Sequence, residues 1–177
     1  MLSRWIYVLI GNNNTGKTTF QKRVLYHLTG FVYQRLDINR VFDITHKNAP
    51  KKLKTIFLIN RSLQEQSGKD LPRDNVVEGY FENRFRDASV CILSSHAIRT
   101  NIAEIEEVIK KGKERKYNIG GVFFSNASTN ETAEIALLNW DEKFYLENPV
   151  VQDDWETQVN DLAKEFSEML IRRAAFQ

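Results

Sequence analysis

The chain has 177 residues, of which 42% are hydrophobic and 27% charged, with a formal net charge of +2 and a single cysteine. That composition fits one soluble α/β-sized domain over residues 1–177, and the charge is too balanced to argue for nucleic acid or a membrane surface as partner. Cys91 permits no intrachain disulfide, no apolar run reaches a membrane span, and the first four residues lead directly into an apolar run, so a cytoplasmic protein without a signal peptide is expected.

Residues 5–10 are apolar almost throughout, as a central parallel strand is. Gly11-Asn12-Asn13-Asn14-Thr15-Gly16-Lys17-Thr18 follows at once, and residues 19–28 then form a helix-compatible segment that Gly30 stops. Residues 31–36 predict a second strand that ends at Asp37. Asp37-Ile38-Asn39-Arg40 would then lie past a strand's carboxyl end, the edge where ligands sit in parallel α/β sheets. Residues 41–54 predict a polar connection with Pro50 and a solvated face of Lys47, Lys51, Lys52 and Lys54. Residues 55–59 predict a third strand, closing at Asn60-Arg61-Ser62, and residues 76–87 a helix that Gly79 weakens.

Residues 90–93 predict a buried strand that runs into Ser94-Ser95-His96. Asn101 is placed to cap a helix over 102–116, whose apolar residues Ile102, Ile105, Val108 and Ile109 share one face. Residues 121–124 predict a strand ending at Ser125-Asn126, residues 131–140 a short helix, and residues 143–146 a last strand before Glu147-Asn148-Pro149. Asp153 or Asp154 is placed to cap a final helix from Trp155 to about Arg173, with Val159, Leu162, Phe166, Met169 and Leu170 inward. The alternation gives an α/β fold: a doubly wound, mostly parallel sheet with helices on both faces. Polar residues recur at its strand ends, where a ligand site is assembled.

The loop at 11–18 has a direct physical logic. Gly11 and Gly16 admit backbone angles closed to residues with a Cβ, and asparagine tolerates left-handed conformations better than most. The backbone N–H groups can therefore wrap an anion, and the following helix adds its positive end. The spacing G-x-x-x-x-G-K-[ST] between strand and helix is the P-loop pattern. In it Lys17 reaches the β- and γ-phosphates and the Thr18 hydroxyl ligates Mg²⁺. The expected nucleotide-binding set is Gly11, Asn12, Asn13, Asn14, Thr15, Gly16, Lys17, Thr18 and Thr19.

On these residues the chain resembles the P-loop NTPase superfamily, across its whole length in architecture but specifically only in the loop. Neither the N-K-x-D nor the D-x-x-G string of GTPases occurs, Asn12 replaces the lysine of partition-type ATPases, and L-S-G-G-Q is missing. ATP with Mg²⁺ is therefore the expected cofactor pair. The resemblance extends to small nucleotide and metabolite kinases through Asp37-Ile38-Asn39-Arg40, which is similar to their D-x-x-R stretch. That likeness implies that Asp37 orients or deprotonates an acceptor and joins the Mg²⁺ shell with Thr18, while Arg40 binds an anionic part of the acceptor. It also implies that the 147–149 loop, with Asn148, holds the adenine. The lid segment 126–143 lacks the arginines of those kinases, and Arg99 or the basic run at 110–116 is the expected substitute. Lys17, Asp37 and Arg99 are then the catalytic set, acting on an unidentified small-molecule or nucleotide acceptor.

The alternative resemblance is to ATPases with an extra strand between the P-loop strand and the Walker B strand. There, residues 55–60 are the Walker B strand and His96 ends a sensor strand, but Asn60 replaces the carboxylate and Glu65 follows only five residues on. Such a protein is a slow hydrolase or a nucleotide-gated switch acting on a protein or nucleic-acid partner. Ser94, Ser95 and Arg61 are lesser phosphate-contact candidates. No His/Cys cluster has zinc-ligand spacing.

Overall fold

Five of the apolar runs become parallel strands in the computed structural model, which describes residues 4–36, 40–62, 76–127, 129–149 and 154–176. The strands are β1 (Arg4–Ile10), β2 (Val41–Asp43), β3 (Thr55–Ser62), β4 (Val90–Ser95), β5 (Tyr117–Phe124) and β6 (Glu142–Leu146). They form one sheet in the order β2-β3-β4-β1-β5-β6, parallel throughout except for the β2–β3 pair. β1 is central, with Ile10 opposite Ser95 on one side and Phe123 on the other. Its residues from Ile6 to Ile10 are all buried, which is why the run reads as nearly continuous apolar sequence.

The helices are α1 (Lys17–Thr29), α2 (Val76–Asn83), α3 (Ile102–Glu114), α4 (Asn130–Ala136) and α5 (Trp155–Phe176). Side chains alternate across β1, so Tyr7 and Leu9 pack with Phe20 and Val24 of α1 and Phe166 of α5. Ile6, Val8 and Ile10 pack on the other face with Tyr80 of α2, Ile105 of α3 and Ile135 of α4. Helices therefore cover both faces of a mostly parallel sheet, an arrangement compatible with a doubly wound α/β fold. Gly112 lets α3 approach closely: a Cβ there would come within 2.4 Å of Ile119 and 3.1 Å of Ile6. The end of α5 is held by Arg173, which donates to both carboxylate oxygens of Glu142 on β6 and to the Tyr7 hydroxyl on β1.

The structure corrects several expectations. Residues 31–36 form no strand; Phe31 and Val32 are 62% and 68% exposed. Gly30 ends α1 at φ 76° and turns the chain outward, Lys22 donates to the Gln34 carbonyl, and Tyr33 meets Phe42 edge-on. The edge strand comes instead from β2, inside the segment expected to be a polar connection, and it runs antiparallel. The premise that Asp37 follows a strand thus falls, and Asp37 itself lies outside the described residues, as do Glu65 and Asp153.

α2 stops at Asn83 rather than continuing to 87, because the Phe85 amide bonds back to the Tyr80 carbonyl and its ring enters the core. α4 stops at Ala136, where Trp140 folds back to donate its indole N–H to the Ile135 carbonyl. Asn101 precedes α3 but makes no side-chain cap; its amide donates to the His96 carbonyl at 3.4 Å, and a 3-10 turn, Arg99–Asn101, leads into the helix.

Candidate phosphate-binding site

The loop after β1 is built for backbone exposure. Its first amide, from Gly11, is tied to the Ser95 carbonyl at 3.3 Å, which fixes where the chain leaves the sheet. The Thr15 hydroxyl donates to the Asn12 carbonyl at 2.9 Å and closes the turn from inside. Asn14 has φ 62° and Gly16 φ 93°, the left-handed angles that an asparagine and a glycine accommodate. A Cβ on Gly11 would meet the Thr15 hydroxyl at 2.7 Å. No side chain caps α1, so its first amides keep their donors for an anion, and no acidic residue in the first turn repels one.

Lys17 lies on the first turn of α1. Its ammonium donates to the Gly11 carbonyl and, at 2.7 Å, to that of Asn12. Thr18 and Thr19 follow on the same turn, Thr18 exposed. These residues, from Asn13 to Thr19, line one side of a cavity of about 580 Å³ at the carboxyl ends of the strands. The opposite walls are Asn60 and Ser62 of β3, His96 after β4, Asn126 after β5, Asn148 and Pro149 after β6, and Trp155, Gln158 and Val159 of α5. Polar groups from five strand ends therefore converge where an α/β sheet binds its ligands.

Asn60 reaches that wall through an irregularity in β3. Leu58 pairs with Ile92, but the next pairing is Ser62 with Ser94, so three residues of β3 lie opposite one of β4. Within this interruption Gln21 of α1, fully buried, donates to the Ile59 carbonyl at 2.9 Å and to the Ser94 hydroxyl at 3.2 Å. It ties α1 to both strands. Ser94 and Ser95 are buried and do not line the cavity.

Asn148, the expected adenine contact, lines the cavity and is also bonded to the loop. It is 3% exposed, and its amide donates to the Thr15 carbonyl at 3.1 Å while accepting from the Ser125 hydroxyl and the Asn126 amide, both at 3.3 Å. Asn126 reaches the same Thr15 carbonyl at 3.5 Å. The two asparagines brace the loop from beneath. The side-chain oxygens of Asn12 and Asn126 are buried without a hydrogen-bond partner among the described residues.

Arg99 is exposed and stands outside the cavity wall, on the α4 side. Glu131 there is held below the usual carboxylate range by its own backbone N–H and the Thr129 hydroxyl, with Arg99 a smaller contributor. Arg61 is likewise exposed and off the wall. The lining residues include one ammonium and one imidazole, Lys17 and His96, but no carboxylate and no guanidinium among the described residues. No group of three or more metal-ligating side chains occurs among them either. A Mg²⁺ ion here would take the Thr18 hydroxyl, phosphate oxygens and waters. Cys91 offers no nucleophile, since burial pushes its thiol up to about 12.

Gln21, Ser62, Trp155 and Gln158 are contributions that the sequence pattern did not single out. The last two were detectable: they share a helical face with Val159 at i, i+3 and i+4, which sequence inspection assigned to the core alone. Comparison with protein-family models and with curated proteins returns no match to this chain.

Proposed function

We propose that the chain is a P-loop nucleotide-binding protein that holds ATP with Mg²⁺ in this cavity. One observation carries the proposal: an uncapped helix start, a left-handed Gly16 and Lys17 stand together on the wall of a 580 Å³ cavity at the strand ends. Loop and helix N–H groups would cradle the phosphates, Lys17 would exchange its loop carbonyls for β- and γ-phosphate oxygens, and Thr18 would ligate Mg²⁺, which neutralises phosphate charge.

The reaction that best suits this wall is transfer of the γ-phosphoryl group to a small-molecule or nucleotide acceptor. Such transfer needs positioning and charge neutralisation more than a strong base. A described wall without carboxylates does little to activate water, so bound ATP is spared hydrolysis until an acceptor hydroxyl arrives. A second reading, a slow ATPase or nucleotide-gated switch acting on a macromolecular partner, is favoured by the sheet order. β4 lies between β1 and β3, and His96 beyond it joins the cavity wall.

Turnover of ATP by the purified chain with Mg²⁺, alone and with a panel of nucleotides and hydroxylated metabolites, separates the two. Phosphotransfer predicts slow release of ADP alone and a rise of at least tenfold with the right acceptor. Turnover that no acceptor alters, with ATP still bound, rejects phosphotransfer and selects the switch.

A further inference from the structure

We propose that Trp155 and Gln158, on the first turn of α5, recognise the nucleobase, with Trp155 stacking on its face and Gln158 bonding to its edge; the inference rests on the nucleotide-binding proposal above. The placement follows from α5. Val159 is buried against the phosphate loop, its Cγ2 3.4 Å from where a Cβ on Gly16 would stand. Residues 155 and 158 share its helical face, and all three line the cavity. Trp155 lies one turn towards the start of the helix, about 6 Å along its axis from Val159. A base on that turn would thus be separated from the loop by roughly the reach of a ribose.

Among the described residues, neither side chain is engaged by the hydrogen bonds or ring contacts that hold the fold. The chain has three tryptophans. Trp5 stacks on Tyr7 at 5.6 Å and lies under the Arg173 guanidinium, and Trp140 donates to the Ile135 carbonyl and packs edge-on against Phe123. Trp155 is 44% exposed on the cavity wall and has no ring contact or hydrogen bond to any described residue. Gln158 is half-buried, and its side-chain amide has no hydrogen-bond partner among those residues. An indole face and a free amide beside a phosphate cradle match the two surfaces of a purine. The amide presents one donor and one acceptor, which suits adenine, with its amino group beside a ring-nitrogen acceptor. Asn148, the expected base contact, is bonded to the loop and its neighbours.

Titration calorimetry with Mg²⁺ compares ATP, GTP and inorganic tripolyphosphate on the full chain and on Trp155→Ala, Trp155→Phe and Gln158→Glu. ATP is expected to bind at least about tenfold tighter than tripolyphosphate. Trp155→Ala should reduce ATP to the tripolyphosphate level while leaving tripolyphosphate unchanged, and Trp155→Phe should restore most of the difference. Gln158→Glu should lower the ATP-to-GTP affinity ratio several-fold, because a carboxylate accepts from guanine's paired N–H groups and offers nothing to adenine's acceptor. Equal binding of ATP and tripolyphosphate to the unmodified chain, or equal loss of both in Trp155→Ala, overturns the inference and leaves the phosphate site standing. Failure of the unmodified chain to bind either ligand overturns both.

Discussion

Lys17 and Asn148 do opposite jobs on the same loop. Lys17 is a cation held by loop carbonyls that a triphosphate would replace. Asn148 is bonded on both sides of its amide and gives the loop its shape. Its removal leaves the Thr15 carbonyl and the Asn126 amide with weaker or lost bonds in a buried place. Asn148→Ala should therefore lower the unfolding free energy by about 1–3 kcal/mol, the usual cost of unsatisfied buried polar groups. ATP affinity should fall with it while tripolyphosphate affinity falls in proportion, since the defect is in the loop and not at the proposed base contacts. Urea unfolding of the variant measures the first effect; a midpoint equal to that of the unmodified chain contradicts the bracing role.

At the scale of elements, what was legible in the sequence follows from burial. β1, β3 and β4 lie deep in the sheet, so their apolar runs marked them well. β5 extends further back than expected, because Tyr117 and Asn118 start it with polar atoms and Gly120 and Gly121 look like a turn. Both glycines are close-approach positions, with Tyr7 and Phe123 within 2.7 Å of where a Cβ would sit. The run at 31–36 failed for the converse reason: Phe31 and Val32 are on the surface while Leu36 is buried, and periodicity does not say which side a short run faces. Gly112 shows the same close approach between a helix and the sheet. Gly112→Ala should destabilise the fold by about 1–3 kcal/mol through overpacking against Ile119 and Ile6, although alanine is the better helix former. A gain in thermal midpoint on that substitution contradicts the packing of α3 described here.

Over the whole molecule, the sheet order gathers residues spread from Asn13 to Val159 around one cavity. The loop's left-handed angles, the helix start and the placing of Lys17 were legible in the sequence because all are local to eight residues. The rest of the wall was not, because it depends on which strand ends become neighbours and on how far α5 reaches over the loop. Strand-end polarity did point to Asn60, His96, Asn126 and Asn148 together, but not to which of them brace the loop. No membrane-spanning helix occurs among the described residues. The central claim is that this cavity holds the polyphosphate of ATP through Lys17 and the loop. Calorimetric titration of ATP with Mg²⁺ into the unmodified chain and into Lys17→Ala tests it most directly. The account predicts saturable one-to-one binding that Lys17→Ala weakens at least a hundredfold with the fold intact by circular dichroism; equal binding to both chains, or none to the unmodified one, contradicts it.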